Sequence, residues 1–149
     1  MNTQVLEKLM RRYPHLTNEG VGVSGWWCKR RGEDRVDRHR KARADLLERV
    51  DRVDACCEWL AFVARRKTVN PFRSSYGFKH MAELEIGYVT NGVFVAAALH
   101  LGFAWKDTYT VNCLLGISEA WAKAFDEAHR YKRRSTFFED CGPELGLAV

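Results

Sequence analysis

Tyr76, Lys79, His80 and Glu83 recur at three- and four-residue intervals, a spacing that puts a phenol, an ammonium, an imidazole and a carboxylate on one face of a helix. Such a set is the raw material of proton transfer. It is equally the material of a hydrogen-bonded network between two helices, with His80 tied to a turn at Asn91. Cys28 is the second candidate, because Lys29, Arg30 and Arg31 follow it and their charge favours a thiolate. A nucleophile also needs a placed base, and none is identifiable beside Cys28. His100, among apolar residues, reads as a satisfied and partly buried histidine. There is no glycine-rich phosphate loop, no Gly-x-Ser-x-Gly elbow and no His-Glu-x-x-His pair in the chain. The five cysteines offer no paired spacing of the zinc type and read as buried thiols. The residues therefore point to a binding protein rather than an enzyme, with neither a metal nor a cofactor expected.

Charge gives the stronger signal. From Lys29 to Arg43 eight basic residues stand against Glu33, Asp34 and Asp37, an excess that equals the net charge of +5 of all 149 residues. Arg30, Arg31, Arg35, Arg38, Arg40, Lys41 and Arg43 are thus the candidate contacts for DNA, RNA or an acidic or nucleoprotein partner. The alternative is a solvated helix face whose aspartates and arginines pair with one another. A second cluster, Arg130, Lys132, Arg133 and Arg134, falls at a helix C-terminus, where the helix dipole itself favours cations. Trp26 and Trp27 lie in a stretch, 14–34, punctuated by four glycines. They are expected to cap the core; the alternative is an aromatic platform on which bases stack beside the basic residues.

The elements that must position these groups follow from hydrophobic period. Residues 3–13 form an amphipathic helix with Val5, Leu6, Leu9 and Met10 inward, stopped before Pro14. From about Val36 to Arg66 the apolar positions Leu46, Leu47, Val50, Val53, Cys57, Leu60, Ala61 and Ala64 predict one long helix. Residues 76–86 and 90–101 form a pair with helix-turn-helix proportions, broken at Gly87 and closed at Gly102. Its second helix, apolar from Val93 to Leu99, is expected inside and offers almost nothing to base edges. A short helix is predicted from Asp107 or Thr108 through Val111, Leu114 and Leu115. Ser118 opens the last helix, with Trp121, Ala124, Phe125 and Ala128 on one face. Phe137, Phe138 and Leu145 are expected to pack back on the core.

The expectation is an all-α, compact single-domain bundle over 1–149, with one long helix, a basic loop and helix start at 26–43 and a central helical pair at 74–103. Apolar content of 46% argues against disorder, and no apolar stretch reaches the roughly 20 residues that span a bilayer. The first residues lack the pattern of a secretory signal, so the expected location is cytoplasmic. The segments Ser75-Tyr76-Gly77-Phe78-Lys79-His80 and Tyr88-Val89-Thr90-Asn91-Gly92-Val93-Phe94-Val95-Ala96-Ala97-Ala98 resemble a family of small, uncharacterised proteins of bacterial phages and other mobile elements. The resemblance covers about a fifth of the chain and carries no catalytic residue. It implies a protein that regulates DNA or disables a host defence complex, of which an anti-CRISPR-type inhibitor is one example. The expected function is non-catalytic engagement of a host protein or nucleoprotein complex. The alternative is a nucleic-acid-binding accessory protein.

Overall fold

The computed structural model describes residues 1–132, so the expectations placed on Arg133, Arg134, Phe137, Phe138, Cys141 and Leu145 lie outside the described residues. Helices α1 (Thr3–Arg12), α2 (Gly25–Arg31), α3 (Arg35–Leu47), α4 (Val50–Leu60), α5 (Ser75–Ile86), α6 (Asn91–His100) and α7 (Glu119–Ala128) carry most of that chain. Two antiparallel ribbons join them: β1 (Leu16–Thr17) pairs with β2 (Gly20–Val21), and β3 (Trp105–Lys106) with β4 (Leu114–Leu115). The protein is mostly helical rather than all-α.

Helix α6 is the hub. Its residues from Val93 to Ala98 are fully buried and Leu99 nearly so, because a helix that is apolar all round has no face to give to water. The helices α4, α5 and α1 and the β1–β2 ribbon pack around it. Thr90 caps its start by accepting from the Val93 amide, while the Thr90 hydroxyl donates to Asn18 in the ribbon's turn. A Cβ on Gly92 would run into the Thr17 carbonyl and the Asn18 backbone, so glycine alone allows the ribbon to lie this close. His100, at the far end, is exposed rather than partly buried.

The predicted long helix is two. Helix α3 ends at Leu47 and α4 starts at Val50, with Arg49 leaving the helical region at φ −112° and ψ 29°. No glycine or proline marks the break. Its cause is packing: α3 lies against α2 and the β1–β2 ribbon, whereas α4 lies against α5 and α6. One straight rod does not reach both sets of partners.

The helix predicted near residue 108 is also absent, and β3 and β4 stand there instead. Between them the side chains outcompete helical bonding: Asp107 accepts from the Tyr109 amide, Thr108 donates to the Asn112 carbonyl, and Tyr109 takes a positive φ of 61°. Helix α7 begins at Ser118 as expected, with the Ser118 hydroxyl accepting from the Trp121 amide. It buries Ala122 and Phe125, however, and leaves Ala124 and Ala128 in water.

Candidate binding face on α2 and α3

The tryptophans expected to cap the core do not. Ser24 caps a seven-residue helix, α2, by accepting from the Trp27 amide, and Gly32 closes it at φ 63°. Cys28 points inward to a small separate core with Val23 and Ala42, which fixes α2 against α3. Trp26 and Trp27 point outward, 59% and 38% exposed, their ring centroids 4.5 Å apart in an edge-to-face arrangement. One helical turn further on, the Arg30 guanidinium lies 5.2 Å from the Trp26 ring centroid and that of Arg31 lies 4.8 Å from the Trp27 centroid. The two rings and two guanidinium groups form a single exposed cluster.

The seven candidate basic residues separate into two groups. Arg38 is held in a fork by Glu19, Nε donating to Oε2 and Nη2 to Oε1 at 2.8 Å each, and also meets Glu33 at 3.2 Å. The hydrogen bond it donates to Glu19 raises its pKa above the ordinary arginine value. Arg43 reaches under α1 and donates to the carbonyls of Met10, Pro14 and Leu16 at 3.0, 2.9 and 2.8 Å. It thereby satisfies groups that the end of α1 leaves open. These two arginines are partly buried and spend their donors on structural partners within the fold. Arg30, Arg31, Arg35, Arg40 and Lys41 are exposed. Among the described residues only Arg40 of these five has a carboxylate partner, Asp37 at 3.3 Å on the open surface.

Glu19 was not among the residues singled out in the sequence. Its carboxylate grips Arg38 and also accepts from the Ser24 amide at 3.4 Å, while its backbone carbonyl accepts from Asn91 Nδ2 at 2.9 Å. One residue of the β1–β2 turn thus fastens α2 and α3 to the start of α6. The only sequence signal was an acid, in Thr-Asn-Glu-Gly, ten residues before the basic run that starts at Lys29. A shallow pocket of about 210 Å³ beside it is lined by Arg31, Arg38 and Lys41 but equally by Glu19, Glu33 and Asp45. Its three cations are matched by three carboxylates, so the excess positive charge lies on the open face around it.

The Tyr76 cluster assembles only in part. Lys79 is 5% exposed and ion-paired with Glu83. Its ammonium lies 5.4 Å from the Tyr76 ring and 5.1 Å from that of Tyr88. His80 meets Glu83 at 3.2 Å through Nδ1 and stands edge-to-face on Tyr76 with centroids 4.4 Å apart. Asn91 belongs elsewhere: it is buried, donates to Glu19 and to the Val111 carbonyl at 3.0 Å, and accepts from the Ser75 hydroxyl at 2.9 Å. The link from His80 to Asn91 is therefore replaced by one from Ser75. Burial pushes the thiols of Cys56 and Cys113 up to about 12 and that of Cys57 up to about 11, which leaves them as inert apolar groups. Among the described residues no group of three or more histidine, cysteine or carboxylate side chains is placed to hold a metal ion, and no helix is long and apolar enough to cross a membrane.

Compared with family models, curated proteins and solved structures, the chain matches none.

Proposed function

We propose that this is a non-catalytic binding protein whose α2–α3 face engages nucleic acid, free or within a nucleoprotein complex. The observation that carries the reading is the exposed cluster of Trp26, Trp27, Arg30 and Arg31, with the Arg35 guanidinium beside Gly25 at the start of the same helix and Lys41 lining one pocket with Arg31. Six exposed cations on α2 and α3, Lys29 included, give phosphate affinity without base reading, since α6, the second member of the helix-turn-helix-like pair, is inside except for His100 at its end. The resemblance to small mobile-element proteins supplies a setting, interference with a host nucleoprotein complex such as a defence effector. That setting is compatible with a face that binds phosphate and bases.

A second reading has its own observation. Tyr76 and Tyr88 are 50% and 74% exposed and gather around the same buried Lys79, with His80 at their edge, a composition suited to a protein partner. The two readings respond differently to salt. Phosphate contacts weaken log-linearly with salt, losing about a hundredfold or more between about 50 and 200 mM for several contacts, while an aromatic-centred interface changes little. Fluorescence-anisotropy titrations with labelled oligonucleotides across that range are expected to give a steep slope for the native protein. A variant with Arg30→Glu, Arg31→Glu and Lys41→Glu is expected to lose both affinity and slope. Unchanged affinity in that variant would overturn the assignment to α2–α3.

A further inference from the structure

We infer that the occupant of this face is a single strand, with unpaired bases stacking on Trp26 and its covering Arg30 while Arg31, Arg35 and Lys41, which border the same helix, meet the backbone. The inference rests on the nucleic-acid reading above and narrows it. Duplex nucleic acid presents phosphates to a convex helical surface and keeps the faces of its bases stacked on one another. Arginine and lysine alone suffice for such a partner, and two exposed indoles add nothing to it. An unpaired base offers a flat π-face that indole accepts irrespective of sequence.

The geometry supplies that platform ready-made. Trp26 keeps 59% of its surface in water, whereas Cys28, two residues on along the same helix, is 6% exposed. The i, i+4 arginines hold the indoles in place, at 5.2 and 4.8 Å, so little side-chain freedom is lost on binding. A guanidinium plane is itself a stacking surface for a base, and its remaining donors stay directed to phosphate. The face is also anchored: Glu19 and Arg38 fix α3, and the Val23, Cys28 and Ala42 core fixes α2. Aromatic groups and cations are therefore presented on a rigid support rather than on a loop.

The test uses the full chain with three probes: an oligodeoxythymidine, an oligouridine and a mixed-sequence duplex of matched length. Intrinsic tryptophan fluorescence and anisotropy are read together. The expected result is tighter binding of the single strands than of the duplex, with quenching of indole emission. Trp26→Ala is expected to weaken single-strand binding roughly tenfold with the duplex unaffected, and Trp26→Phe to recover most of it. The residue is exposed, so circular dichroism of both variants is expected to match the native spectrum. Equal binding of duplex and single strand, unaltered by Trp26→Ala, would overturn the single-strand inference and leave phosphate binding standing. Binding of none of the three probes at low salt would overturn both, and the aromatic patch at Tyr76 and Tyr88 would become the docking surface for a protein.

Discussion

The basic segment from Lys29 to Arg43 is uniform in residue type and mixed in role, and only the partners separate its members. Arg38 and Arg43 are spaced like their neighbours, yet one is clamped by Glu19 and the other caps α1 through backbone carbonyls. Neither partner is near in sequence, which is why counting charges gathered the segment but did not sort its members. The difference is measurable in urea: Arg38→Ala is expected to cost about 2 kcal/mol of stability, because it leaves Glu19 without its fork, whereas Lys41→Ala is expected to cost less than about 0.5 kcal/mol. Equal losses would mean that the fork does not hold α3. His39 adds a dependence on pH. Burial, the Arg43 charge and the His15 ring, 6.5 Å away, together lower its pKa below the ordinary histidine value, and its buried Nε2 has no hydrogen-bond partner among the described residues. The unfolded chain then binds a proton near pH 6.5 that the folded chain refuses, so stability is complete above about pH 6.5 and is lost as pH falls toward the lowered value. Urea midpoints are expected to drop between pH 7.5 and 5.5, and His39→Gln is expected to flatten the part of that slope due to this residue. An identical slope in the variant would contradict the assignment.

At the scale of elements, α1, α5, α6 and α7 were legible because each carries its own period, cap or break: Leu6, Leu9 and Met10 on α1, Gly87 after α5, Thr90 before α6, Ser118 before α7. The division of α3 from α4 was not, since residues 46, 53 and 60 keep a heptad spacing across it. The break follows from the different neighbours of the two halves, and those are tertiary. The ribbons were missed for a related reason: two-residue strands are too short for alternation to register. Glycines sort in the same way. Gly92→Ala drives a methyl group into the Thr17 and Asn18 backbone and is expected to cost about 3 kcal/mol, whereas Gly77→Ala on α5 meets nothing closer than the Arg73 Cβ at 3.9 Å and is expected to gain about 0.5 kcal/mol. Thermal unfolding of the two variants reads both signs. A tolerated alanine at Gly92 would show that the ribbon does not need its close approach to α6.

Across the whole molecule, an apolar interior centred on α6 supports a polar outer layer of α2 and α3, and the β1–β2 turn is the joint between them. Thr90, Asn91 and Gly92 at the start of α6 touch Asn18 and Glu19, and Glu19 in turn holds Arg38. Composition and period were enough to read a mostly helical chain with α6 inside and positive charge gathered between residues 29 and 43. They did not place Trp26 and Trp27, because glycine-punctuated sequence around them hid the short helix that turns both outward. We propose that nucleic acid meets α2–α3 and not the aromatic patch on α5. The most direct test of this claim is an amide-resolved NMR titration of the full chain with an oligodeoxythymidine at low salt. Chemical-shift changes are expected to concentrate on residues 25–41 and on the indole amides of Trp26 and Trp27, with α5 unmoved. Changes clustered instead at Tyr76, His80 and Tyr88, or no changes at any residue, would contradict the claim.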